Sequence, residues 1–173
     1  MEGIYEGFPT ILHGIAILSC KVSPQNLQRI LICLFYKINR GEEALETSML
    51  KSQGIQLMFD VGIAESLAFN FIDEEEKDRW LSLIKTRFFE VLDFLCIARY
   101  YISEEVKNKP LKFDYYMLRF IFRSEEIEIR VHHEKGPRRL PIEDLINLLS
   151  ERINQELTRK GGEPLRIESL RAF

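Results

Sequence analysis

The stretch that decides the fold is FFEVLDFLCIARYYI, Phe88 to Ile102. Only Glu90, Asp93 and Arg99 interrupt its apolar run, and those charges, with its length, rule out a membrane span of about 20 uncharged residues. It follows Asp73, a residue type suited to capping a helix, and Glu74, Glu75 and Glu76, which suit the positive end of a helix dipole. Trp80, Leu81, Ile84 and Phe88 then recur at helical spacing against Lys77, Asp78 and Lys85. The pattern predicts one helix from Asp73 to Ile102, about 45 Å long at 1.5 Å per residue. Its second half is apolar nearly all round, so it should be covered on more than one side, by a second layer or another subunit. Asp93 and Arg99 inside that half need partners, within the fold or across a subunit interface.

Upstream, Ile55, Leu57, Phe59 and Val61 alternate with Gln56, Met58 and Asp60, and a second alternating run holds Leu67, Phe69 and Phe71. This predicts a hairpin turning near Gly62. Further upstream, Ile11 to Val22 reads as a strand bent at Gly14. Ser23-Pro24 then supplies a cap and a proline at the first helical position. Leu27, Ile30, Leu31, Leu34, Phe35 and Ile38 form one stripe of that helix, with Gly41 as its stop and at most a further turn or two in Glu42 to Ser52.

Downstream, KFDYYMLRFIF (Lys112 to Phe122) and EIEIRVHH (Glu126 to His133) form a second hairpin, turning near Ser124-Glu125. The stripe Ile142, Leu145, Ile146, Leu149, Ile153 and Leu157 marks a third main helix, ended by Gly161-Gly162. Leu165, Ile167 and Ser169 can add a short last strand. The order is therefore β-α-β-β-α-β-β-α-β in a single α+β domain over residues 1–173, with a largely antiparallel sheet. Its first six elements match the split β-α-β start of ferredoxin-like folds, extended by a hairpin and a helix. The two hairpin-plus-helix units, Ile55 to Ile102 and Phe113 to Leu157, share hydrophobicity but no matching residues, so they are not an internal repeat.

The chain has 173 residues, 46% of them hydrophobic, and a formal net charge of −3. A pI near 5.7 counts against a protein whose main task is wrapping nucleic acid. MEGIYEGFPT lacks the basic start of a signal peptide, and Cys20, Cys33 and Cys96 lie unpaired in apolar runs, which together predict a cytoplasmic protein with buried thiols. No zinc, Walker-type, dinucleotide or GxSxG motif occurs, so no metal site, cofactor or assembled nucleophile is expected.

The densest group of functional residue types is VHHEKGPRRLP, Val131 to Pro141. A basic loop before a helix N-terminus can hold a phosphate or carboxylate, which makes Lys135, Arg138 and Arg139, with His132 and His133 adjacent, the candidate anion site. Glu134, Glu143 and Asp144 offset that positive field. Phe113 and Tyr115 share a strand face with Arg119, an arrangement that could stack nucleic-acid bases, although core packing or a subunit contact accounts for it more simply. His13 is a candidate base only if the His132–His133 strand approaches it. The function expected first is self-association as a homo-oligomer, or interaction with another protein. Binding of a phosphate-containing ligand, nucleotide or RNA through residues 135–139 comes second, and a small enzyme using His13 or His132/His133 third.

Overall fold

Phe88 to Ile102 does not continue the preceding helix. In the computed structural model, which describes residues 5–42, 45–102 and 112–173, the helix ends at Thr86 and Arg87 is already extended. Val91–Ile102 is a strand. Leu92, Phe94, Cys96, Ala98 and Tyr100 are all buried on one of its faces, a period of two rather than 3.6. Leu95 is buried on the other face as well, which is why the alternation is masked in the sequence.

The elements in chain order are β1 (Gly14–Ser19), α1 (Pro24–Asn39), α2 (Ser48–Ser52), β2 (Ile55–Glu65), β3 (Ala68–Phe71), α3 (Glu74–Thr86), β4 (Val91–Ile102), β5 (Phe113–Phe122), β6 (Glu126–Lys135), α4 (Ile142–Arg159) and β7 (Arg166–Ala172). The class is mixed helix and sheet, with four helices among the described residues and seven strands in one open antiparallel sheet ordered β3-β2-β4-β5-β6-β1-β7. That order departs from the ferredoxin-like start expected above. β1 lies between β6 and β7 near one edge of the sheet, while the first hairpin, β2–β3, forms the other. The three main helices are joined by the five-residue α2, capped by Thr47.

Local chemistry explains the boundaries. The Ser23 side chain accepts the Asn26 N–H ahead of Pro24, and Asp73 accepts the Glu76 N–H, so both expected caps form. The first hairpin turns at Ser66-Leu67, not at Gly62, because Ser66 takes the left-handed conformation. Gly62 sits within β2, opposite Leu95 and Phe71. The second hairpin turns at Ser124-Glu125.

All helices serve one face of the sheet. Phe35 of α1 packs against Phe94 and Phe120, with ring centres 4.8 and 6.4 Å apart. Ile142 and Ile146 of α4 lie over Gly14. α3 packs beside α1, where Gln25 and Gln28 donate to the carbonyls of Ile84 and Phe89. Lys37 of α1 pairs with the buried Glu156 of α4 at 3.0 Å. Asn39, the last residue of α1, acts as a partner for β2: it donates to the carbonyls of Val61 and Ile72 and accepts the Val61 N–H.

The opposite sheet face carries no helix among the described residues. Tyr5 to Leu12 crosses it instead as a strap. The Tyr5 N–H bonds the Leu67 carbonyl, its hydroxyl donates to Asp93 on β4, and Phe8 lies under the Arg119 guanidinium of β5, 4.9 Å away. Asp93 pairs with Arg119 at 2.8 Å and Arg99 with Asp60 at 2.9 Å, so both charges flagged in the sequence find partners within the chain. On either side of the strap, Val91, Ile17 and Ile121, and then Met58, Ile97, Tyr101, Phe113 and Tyr115, remain partly or largely exposed.

Candidate functional site

All three histidines of the chain meet at one end of the β1–β6 ladder. Gly14 pairs with Val131, so His13 stands one residue beyond the ladder, beside the end of β6. Its ring centre is 5.0 Å from that of His132 and 6.4 Å from that of His133. As alternation requires, His132 lies on the strap face and His133 on the helix face, and His13 reaches both from the strand end. Its Nδ1 accepts the main-chain N–H of His133 at 2.9 Å. Burial holds the His13 pKa below its ordinary value, reinforced by Arg138, His132 and His133, and the Nδ1 contact needs the unprotonated nitrogen.

Each remaining histidine holds a different segment. His132 Nδ1 lies 2.7 Å from the Ile11 carbonyl at the end of the strap, and its Nε2 lies 2.9 Å from Glu134. Both ring nitrogens thus face acceptors, and the carbonyl of Ile11 requires Nδ1 to donate. His133 Nε2 lies 2.8 Å from Oδ1 of Asp114, a wholly buried carboxylate on β5.

Asp114 organises the basic loop. Besides His133 it accepts the Tyr100 hydroxyl at 2.6 Å and the main-chain N–H groups of Arg138 and Arg139 at 2.7 and 2.8 Å. Burial alone would raise its pKa; the hydrogen bonds from Tyr100, His133, Arg138 and Arg139 outweigh it and leave the carboxyl below its ordinary value. The Tyr100 hydroxyl also accepts the Leu140 N–H, and Tyr116 donates to the Leu140 carbonyl. Burial, with Asp114 beside them, pushes both phenols far up, so they act as donors. This node was missed in the sequence reading. Its signal was there: Asp114 occupies an inward position of a strand whose other inward residues are Tyr116, Leu118, Phe120 and Phe122.

The loop therefore differs from an open phosphate cradle. The N–H groups of Arg138 and Arg139, which would face a bound anion ahead of α4, already hold the chain's own carboxylate. Only side chains are left for an external ligand. Arg138 Nη1 lies 3.4 Å from the Phe173 main-chain oxygen, and Arg139 Nε is buried without a hydrogen-bond partner. Lys135 projects away, 4.3 Å above the Tyr115 ring. A shallow, open depression there is bounded by Lys112, Phe113, Tyr115, Lys135, Gly136 and Pro137, and none of the histidines lines it. A second groove, of about 400 Å³, runs beside β2, between Ile38, Leu45 and Met58, towards the other edge of the sheet from the histidines.

Among the described residues, no three His, Cys, Asp or Glu side chains are grouped to hold a metal ion. Cys20, Cys33 and Cys96 are free thiols, the first and last buried. No helix of the described residues is long and apolar enough to cross a membrane. The chain matches no known family model, and no curated protein or solved structure resembles it significantly.

Proposed function

We propose that the protein works by self-association in the cytoplasm, with a second copy of the chain packing on the helix-free face of the sheet. The observation that supports this is the one-sidedness of the helices. It leaves Met58 and Phe113 40% and 38% exposed around the half-buried Ile97, Tyr101 and Tyr115. Contiguous apolar surface of this kind on a sheet marks a contact site. The charges on that face come as opposed pairs, Asp60 with Arg99 and Asp93 with Arg119, so the face is nearly neutral and suited to a copy of itself rather than a polyanion. Two such faces can pack about 10 Å apart, as the sheets of a sandwich do. The free edge is a poorer candidate: β7 carries Arg166, Glu168 and Arg171, and its register with β1 shifts at Ile17/Leu18, devices that discourage strand addition. The apolar stretch Phe88 to Ile102 supports the reading as a strand with one face open, not as an over-apolar helix.

Sedimentation velocity tests it. A dimer should form below about 100 μM, and Ile97→Lys or Met58→Lys should return it to monomer while keeping the melting temperature that the wild type shows when too dilute to dimerise. A wild-type protein that stays at 20.4 kDa throughout overturns the reading.

The second reading is an anion or nucleotide ligand held by the Lys135, Arg138 and Arg139 side chains. The partnerless Arg139 Nε and the aromatic depression beside Lys135 support it. Inorganic phosphate or a nucleoside monophosphate should then raise the melting temperature of the wild type, and not that of a variant with Arg138→Ala and Arg139→Ala. An enzyme built on His13 or His132/His133 is the third reading. Its histidines are together, but the depressions described above do not reach them.

A further inference from the structure

We infer that the three histidines form a proton-operated latch on the Tyr5–Leu12 strap, and so control access to the sheet face beneath it. What uncovering the face achieves rests on the self-association reading; the latch itself does not.

Each contact in the junction has a definite proton requirement. His132 holds the strap by donating from Nδ1 to the Ile11 carbonyl while its Nε2 faces Glu134. His13 must keep Nδ1 unprotonated to accept the His133 N–H. A proton placed on His13 Nδ1 abolishes that bond and turns two nitrogens toward each other as donors. The new charge would be surrounded by cations and cation-forming rings on every packed element: His132 and His133 from β6, and Arg138 from the loop before α4. Glu134 and Asp114 are already engaged on the outer sides of His132 and His133. The Phe173 N–H at the end of β7 occupies the His13 carbonyl and offers the ring nothing.

The relief available to a charged His13 is to move away from β6, and Leu12 and Ile11 are joined directly to it. The His132–Ile11 contact is then pulled apart, and the strap's remaining attachments at Leu67, Asp93 and Arg119 loosen with it. Leu95, buried on the crossed face, becomes accessible together with the exposed residues flanking it.

Amide exchange measured by NMR from about pH 7.5 to about pH 5 separates the steps. The His133 amide reports on the His13 ring, the Tyr5 amide on the strap, and the Phe94 amide on the core. Protection at His133 and Tyr5 should fall together by about tenfold or more as pH drops, with Phe94 unchanged. In His13→Asn, whose side-chain oxygen can still accept but cannot be protonated, Tyr5 protection should be flat over the same range. Should that variant fail to fold, His132→Gln, which keeps a donor for Ile11 without a charge, should blunt the response instead. A flat Tyr5 profile in the wild type, or an unaltered response in both variants, overturns the latch. Sedimentation across the same pH series reads the other half: a strap that opens while the protein stays at 20.4 kDa throughout defeats self-association and leaves the latch standing.

Discussion

His133 and Asp114 share a hydrogen bond of 2.8 Å across β6 and β5, and the carboxylate of that pair is wholly enclosed. Through it, one strand end is tied to the loop that launches α4. Removing the carboxylate leaves Tyr100, His133 and two main-chain N–H groups without their acceptor. Asp114→Ala should therefore cost about 3–5 kcal/mol, the range for breaking a buried charged network. Asp114→Asn, which keeps one oxygen but turns an NH2 toward donors, should fall between that variant and the wild type. Urea unfolding measures both, and a cost of Asp114→Ala within about 1 kcal/mol would mean the loop finds other acceptors.

Gly136 should tolerate no side chain. Its φ is +115°, and a Cβ there would collide with the Phe113 carbonyl oxygen and the Asp114 side chain. Gly161, at φ +77° with open space around it, separates the two effects. Gly161→Ala should cost about 1 kcal/mol from backbone conformation alone, and Gly136→Ala at least twice that. Equal losses of melting temperature would show that the collision is relieved by movement of the loop.

The Asn39 amide takes the place of a strand neighbour for Val61 at the edge of β2. Asn39→Ala strips three hydrogen bonds from that edge and should destabilise by about 2–3 kcal/mol. Asn39→Asp keeps the acceptor for the Val61 N–H but puts charge against the Val61 and Ile72 carbonyls, so it should be no better than alanine. Thermal unfolding of the two variants side by side checks the order.

Stability should fall in two steps on acidification. His13 has a folded pKa below its ordinary 6.5, so it takes up its proton more readily when unfolded. Its contribution is intact above 6.5 and is lost as pH falls from there through the folded value. Asp114 is likewise depressed below its ordinary 3.8, so its contribution is present above that value and disappears only at lower pH. Replacing His13 with Asn should erase the first step and keep the second, a result that denaturant titrations at stepped pH would reveal.

Much of the secondary structure was legible because local chemistry and burial agree. Ser23-Pro24, Asp73 and the stripe from Ile142 to Leu157 start or mark helices where the sequence predicts them. β4 was hidden for a physical reason: one face meets α1, and Leu95 on the other is buried under its own cover, so neither face is polar enough to display a period of two. The hairpin turn was misplaced because Gly62 is the more permissive residue, yet Ser66 adopts the positive φ. The candidate loop was legible by its charge, but its internal anion was not, since Asp114 is more than twenty residues away and only the β5–β6 pairing brings it there. The meeting of His13 with His132 and His133 is equally a product of long-range pairing.

That pairing sets the order in which the chain can mature. Gly14 has Val131 and Ala172 as its ladder partners, so β1 waits for β6 and β7 to be made. Until then Ile15, Ile17 and Leu18 have no neighbour to cover them, while β2, β3 and β4 can zip up locally as synthesis proceeds. Closing a sheet between strands more than a hundred residues apart entails a large loop-closure entropy and slow folding. A chain without β7 therefore has an incomplete sheet, with one edge of β1 left unpaired.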